Sequence, residues 1–250
     1  PPHSGVKLLF AAFLCVGLVA SFTPQYVKLV RARSSQGINP LYLLLGIMSN
    51  FCVVANLALL QRPVMACCWH VWTFRVCLEN MGSFVQVFLQ WFLFAVLFAL
   101  YYVYWQPSRR GLLTLDWRQR QHYAEWRSAR SILTAAAGLH VAIAALVVLL
   151  AVTDGPLGAR GPLGGAALVL AGLFGTVAAL LCVAQFLPQL YSTWVTRDVG
   201  ALSLLMMLMQ TPGGYLMMLS IALQPGNNWT SWAPYFLAAS MQGALLLLCL

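Results

Sequence analysis

Six side-chain amides interrupt otherwise apolar stretches: Asn50, Asn56, Gln86, Gln90, Gln210 and Gln242. A carboxamide both donates and accepts hydrogen bonds and carries no charge. Surrounded by hydrocarbon it must find partners, so such groups either fasten helices together or line a polar path. Gln86 and Gln90 are four residues apart and share a helix face, with Trp91 beside it. We read the six amides and Trp91 as a substrate pathway, whose chemistry is recognition of a polar solute rather than bond-making. No Ser/His/Asp set, phosphate-cradling glycine loop or metal-spaced histidine pair occurs. No catalytic residue, cofactor or metal is expected. His140 is read as a packed or lipid-adjacent side chain.

A second kind of interruption is duplicated. Phe22-Thr23-Pro24-Gln25-Tyr26 returns as Phe186-Leu187-Pro188-Gln189-Leu190, each late in an apolar run. Proline withholds its N–H and crowds the carbonyl four residues back, here Ala20 and Ala184, so each helix gains a bendable point. Each motif leads into a polar turn closed by glycine, Gly37 in one copy and Gly200 in the other. Thr211-Pro212-Gly213-Gly214 interrupts a further run and is expected to break that helix at mid-membrane and expose backbone.

The elements that must position these groups follow from composition. Charged residues are 8% of the chain and apolar residues 61%, against roughly 25% and under half in a soluble domain. This is an all-α polytopic membrane protein with no soluble domain left over. Seven spans of about 20 residues each can be drawn: 5–30, 38–60, 82–104, 131–152, 163–195, 201–223 and 232–250. The first apolar run, Leu8 to Val27, is long enough to span rather than to serve as a cleaved leader.

Charge gives the orientation. Loops after spans one, three and five hold Lys28, Arg31, Arg33, Arg109, Arg110, Arg118, Arg120, Arg127, Arg130 and Arg197, whereas the other side holds Lys7, Arg62, Arg75 and Arg160. The richer set belongs in the cytosol, leaving the N-terminus lumenal and the C-terminus cytosolic. The net charge of +9 therefore reflects topology and not nucleic-acid binding. Asn228-Trp229-Thr230 is a glycosylation sequon on the lumenal side by this count. The basic segment 106–130 is read either as an interfacial helix starting near Asp116, with its arginines on anionic lipid, or as a solvated linker.

The two Pro-Gln copies lie on the first and fifth spans, which cross in the same direction. The chain thus divides into a three-helix repeat (1–105), a basic loop with a connector helix (106–160) and a second three-helix repeat (161–250). This is a 3+1+3 arrangement with parallel repeats related by an axis along the membrane normal. Cys67, Cys68 and Cys77 cluster with His70 between spans two and three. Their spacing is poor for zinc, and a lumenal loop favours a disulfide from Cys77 to either Cys67 or Cys68. Cys15, Cys52, Cys182 and Cys249 sit in apolar spans as small hydrophobes.

With Pro24-Gln25 through Gly37-Ile38-Asn39 and Pro188-Gln189 through Gly200-Ala201-Leu202-Ser203 in place, the chain resembles the PQ-loop family. That family includes cystinosin, the lysosomal cationic amino acid exporters and, more distantly, the SWEET sugar carriers. The resemblance implies two three-helix units around a central site, with Pro24, Gln25, Pro188 and Gln189 as hinges in alternating access. Pro212, Gly213 and Gly214 are grouped with them as a further hinge. One departure matters. Glu79, Asp116, Glu125, Asp154 and Asp198 all lie in loops or at span ends, and Gln210 stands before Gly213-Gly214 where cystinosin has an acid. Glutamine cannot titrate, so the family's proton-coupling route is not expected here. The resemblance implies a transporter of an amino acid or similar metabolite across a vacuolar or lysosomal membrane, with membrane lipid and a small solute as partners. A lipid-handling scramblase and a non-transporting receptor or scaffold are the alternatives.

Overall fold

Helix boundaries in the computed structural model follow from local chemistry at the ends of the apolar runs. The structure describes residues 5–35, 38–104, 117–153, 164–196, 204–224 and 226–249; within these, residues 6, 117–129, 151–153, 164, 189, 192, 196, 204–206 and 249 are described by backbone alone. Helix α1 (Gly5–Ala32) ends where Arg33 takes a left-handed φ of 45°. Asn39 caps α2 (Pro40–Leu60), its side chain accepting from the Leu41 N–H at 2.9 Å. Pro40 occupies the first turn, where a missing N–H leaves no bond unmade. Then come α3 (Arg62–His70), α4 (Phe74–Asn80), α5 (Gly82–Val103), α6 (Trp117–Thr153), α7 (Gly164–Thr196), α8 (Leu204–Ala222) and α9 (Trp229–Cys249). Asn228 starts α9 by accepting from the Thr230 N–H at 3.1 Å.

Among the described residues the fold is all-helical, without strands. Six helices there are long and apolar enough to cross a membrane: α1, α2, α5, α6, α7 and α9. Helix α8, 19 residues long, is not one of these six.

Three expectations change. Residues 61–81 are two short helices rather than a loop, the first opened by Pro63 in its first turn. The basic segment from Trp117 onward continues unbroken into the apolar part of α6; residues 105–116 lie outside the described residues. Helix α8 does not break at Thr211–Gly214. Proline deletes one donor there, and the Thr211 hydroxyl donates to the Met207 carbonyl at 2.8 Å, so the neighbouring turns hold the helix together. Helices α1 and α7 likewise run through Pro24 and Pro188 without interruption.

Packing is reciprocal. Helix α5 touches both α1 and α2, and α9 touches both α7 and α8, so each third helix lies between the other two of its group. Across the groups, α2 lies along α7 and α1 against α8. Exchanging α1 with α7, α2 with α8 and α5 with α9 maps these contacts onto themselves. Helix α6 rests on α2. The α2–α7 seam is tight because small residues let backbones approach. A Cβ at Gly46 would lie 2.5 Å from Phe94 Cζ and 2.6 Å from Gln185 Nε2; where α7 meets α9, one at Gly175 would likewise strike the Thr230 carbonyl oxygen. Cys52, Val53 and Leu57 of α2 meet Ala178 of α7, Met217 and Ile221 of α8, and Tyr235 of α9 in one buried cluster.

Candidate functional site

The two helix groups enclose a cavity of about 310 Å³, to which α1, α2, α5, α7, α8 and α9 all contribute. Its walls are mostly apolar, with Leu14, Leu18, Phe22, Val53, Phe94, Phe186 and Met217 among them. Polar groups project from each of these six helices: Ser21 of α1; Tyr42, Ser49 and Asn50 of α2; Gln90 of α5; Cys182 and Gln185 of α7; Gln210 of α8; Tyr235 and Gln242 of α9. No Asp, Glu, Lys, Arg or His lines it among the described residues.

Some of these groups are already engaged. Gln242 Nε2 donates to Gln210 Oε1 at 2.9 Å, tying α9 to α8. Ser49 Oγ donates to the Ala178 carbonyl at 2.8 Å, across the α2–α7 seam. Asn50 Nδ2 donates to the Gly46 carbonyl of its own helix at 2.8 Å, leaving its oxygen turned from that bond. A side-chain hydrogen bond joins Tyr42 to Gln185. The Tyr235 hydroxyl is buried and has no hydrogen-bond partner in the protein. Such a group is costly to leave unmade and is available to a solute.

Of the amides singled out from sequence, the cavity collects Asn50, Gln90, Gln210 and Gln242, together with Pro212, Gly213 and Gly214. Asn56 is elsewhere. Its Nδ2 donates to the Ala171 carbonyl (2.6 Å) and to Thr230 Oγ1 (3.1 Å), and its Oδ1 accepts from Ser231 Oγ (2.7 Å), which fastens α2 to α7 and α9. Gln86 is fully buried outside the cavity, and neither end of its amide has a protein partner. Trp91 packs its ring against Phe51 and Phe88, with centroids 5.5 and 5.4 Å away, and near His140. His140 itself stacks on Phe51 at 4.2 Å and bonds the Ala136 carbonyl through Nδ1 at 2.8 Å, a packed role.

The Pro-Gln motifs sit at the edge of the site. Gln25 is buried with its Oε1 unpartnered, and Pro24 is half-buried, whereas Pro188 is exposed. The Gln189 side chain lies outside the described residues. Phe22 and Phe186, two residues ahead of the prolines, are both buried and both line the cavity.

Sequence reasoning missed three features. Gln185 is a buried amide three residues before Pro188, in the place Ser21 holds before Pro24, and both line the cavity. The repeat offset could have found it. Tyr42 and Tyr235 also line the cavity, and nothing in their spacing sets them apart from the other tyrosines of the chain. Beyond the cavity, at the end of the bundle carrying α3 and α4, Gln61 Nε2 donates to Ser83 Oγ at 2.8 Å and to Asn227 Oδ1 at 3.1 Å. Ser83 Oγ also bonds Gln224 Oε1. This buried polar latch joins the α2 and α5 ends to the segment between α8 and α9. At the same end, Cys68 and Cys77 form a disulfide with Cα atoms 5.0 Å apart, and Cys67 is free.

Comparison with known proteins agrees with the internal symmetry. The family model described as PQ loop repeat matches twice, over residues 9–64 and 170–230. The first match covers most of α1, all of α2 and the start of α3; the second covers most of α7, all of α8 and the start of α9. The uncharacterized protein C4C5.03 of Schizosaccharomyces pombe is 29% identical across the whole of this chain and 82% of its own length. No solved structure matches.

Proposed function

We propose that this chain, a membrane protein of the PQ-loop family, carries a small net-neutral solute across its membrane by alternating access. The observation that carries the reading is the uncharged, amide-lined cavity shared by both helix groups. A volume of about 310 Å³ is at the small end of ligand pockets. An isolated ion there would meet a desolvation penalty with no counter-charge, whereas a neutral metabolite or an amino acid zwitterion finds donors and acceptors at both walls. Helix α8, the sixth span in chain order, then completes the set of seven. The reciprocal contacts support a 3+1+3 arrangement, with α6 as connector.

The route to the latch end runs along α5. Ser83, Gln86 and Gln90 stand three and four residues apart and share a face, from the latch to the cavity. With the latch shut, Gln86 holds a buried amide without a partner in the protein, a cost of about 1–3 kcal/mol. Opening that end hydrates it, which narrows the gap between the two access states. The bendable prolines at the opposite end supply the complementary motion. The basic-residue count supports a lumenal latch, and the resemblance to cystinosin and its relatives supports a vacuolar or lysosomal membrane.

A second reading has one observation in its favour. Phe13 and Gly17 of α1 and Met209 and Leu216 of α8 line the cavity and are also exposed. A Cβ at Gly17 or Gly213 would meet nothing within 4 Å. That flank lets an amphipathic molecule enter from the bilayer, as lipid handling requires. Purified protein in liposomes separates the two. Saturable uptake of a neutral amino acid, with no lysine uptake and no faster lipid flip, supports the carrier; flip without uptake overturns it.

A further inference from the structure

The turn joining α3 to α4 exposes three large apolar side chains within six residues: Trp69 (85% exposed), Val71 (76%) and Phe74 (83%). His70 and Arg75 beside them are exposed too. The Cys68–Cys77 disulfide closes this segment into a small ring. A water-facing turn gains nothing from such a cluster, since each apolar group left in water forfeits its burial energy.

Its depth is fixed by the helices around it. Helix α4 packs against α1 and α5, and a Cβ at Gly82, the first residue of α5, would touch Ala11 Cβ of α1 at 3.3 Å. The apolar run of α1 begins at Leu8. Gly82 is therefore only ~4.5 Å inside the start of that run, at about 1.5 Å of rise per residue. Helix α4 ends just before it, and α2 and α5, on either side of the hairpin, are both membrane-crossing helices. The turn is thus level with the headgroup layer. The helices against which α4 packs are also apolar on the outside, with Leu9 and Phe13 exposed on α1 and Val85 and Phe88 on α5, both helices long and apolar enough to cross a membrane.

We propose that the α3–α4 turn is a membrane-surface anchor. Trp69, Val71 and Phe74 insert into the boundary between headgroups and acyl chains, and the Cys68–Cys77 disulfide holds them together. Tryptophan is favoured at that depth, and the exposed polar heads of His70 and of Arg75, whose Nε lies 3.9 Å from Glu79 Oε1, are placed for phosphate and water. The occupant of this surface is lipid. The proposal stands apart from the solute reading and from which side of the membrane the hairpin faces.

The test uses the full chain in bilayers, comparing the native protein with Trp69→Phe so that the emission difference isolates one indole. Three quenchers are applied: lipid brominated close to the headgroup, lipid brominated near the chain end, and aqueous acrylamide. The expected result is strong quenching by the first and weak quenching by the other two. Free quenching by acrylamide with none by brominated lipid would overturn the anchor. Protection from all three quenchers would also overturn it, since a protein would then cover the turn. In Cys77→Ser the expected result is less quenching by headgroup-proximal bromine and more by acrylamide; an unchanged pattern would overturn the role given to the disulfide.

Discussion

Phe22 and Phe186, each two residues before a proline, are linked through a chain of four rings. Phe22 meets Phe94 edge-on at 6.2 Å, Phe94 meets Tyr42 at 6.5 Å, and Tyr42 meets Phe186 edge-on at 5.8 Å. The two helices that carry the Pro-Gln motifs are therefore joined through aromatic side chains that line the cavity.

Replacing Pro24 or Pro188 with alanine should restore a backbone hydrogen bond and hold or raise thermal stability. Flux should nonetheless fall, because a stiffer helix favours one access state. Pro188 is exposed, so Pro188→Ala leaves no hole and is the cleaner variant. Flux and melting temperature measured together decide this; full activity in both variants would mean the prolines serve packing alone.

Gln210→Glu places a titratable group in a cavity without charge. Its protonated form imitates the neutral amide, whereas its ionised form still accepts from Gln242 Nε2 but brings an uncompensated charge into the cavity. Flux by the native protein should be flat between acidic and neutral pH. In Gln210→Glu it should be near native in acid and drop as pH rises and the carboxyl ionises. A parallel pH profile for both proteins would exclude Gln210 from the solute path.

The latch should respond in opposite senses to two substitutions. Ser83→Ala leaves Gln61 and Gln224 short of partners and should destabilise the closed end by about 1–3 kcal/mol, exposing it to aqueous labelling. Gln86→Leu removes an unpaired buried amide and should raise the melting temperature while slowing flux. Lower stability in Gln86→Leu would show that the amide is paired in the membrane.

Gly46→Ala tests the inter-group seam, and Gly175→Ala the contact of α7 with α9 inside the second group. At Gly46 the added methyl meets side chains, which can shift. At Gly175 it meets the Thr230 backbone. We expect a loss of about 1–3 kcal/mol at Gly46 and more at Gly175, read as detergent-resistant folded fraction on heating.

The long helices were legible because apolar run length alone marks them: the first span was drawn as 5–30 against α1 at Gly5–Ala32, and the third as 82–104 against α5 at Gly82–Val103. The site was legible in part. Asn50 and Asn56 are six residues apart, about 240° around a helix, so they could not share a face. Asn50 reaches the cavity and Asn56 the α7–α9 joint. Spacing also put Gln86 with Gln90, correctly as to face, but could not show that the cavity stops between them. Helices α3 and α4 escaped because nine and seven residues of mixed polarity carry little periodicity.

The crossing of α2 over α7 has a consequence for how the molecule can be divided. Its first group supplies α2, yet the surface that buries Cys52, Val53 and Leu57 comes largely from α7, α8 and α9. Cut within 105–116, the chain would yield two fragments, each complete in covalent order and each missing half of its own interior. Such fragments are expected to be recovered only when made together. A fragment made alone would have to borrow the missing surface, and the nearest substitute is a second copy of itself.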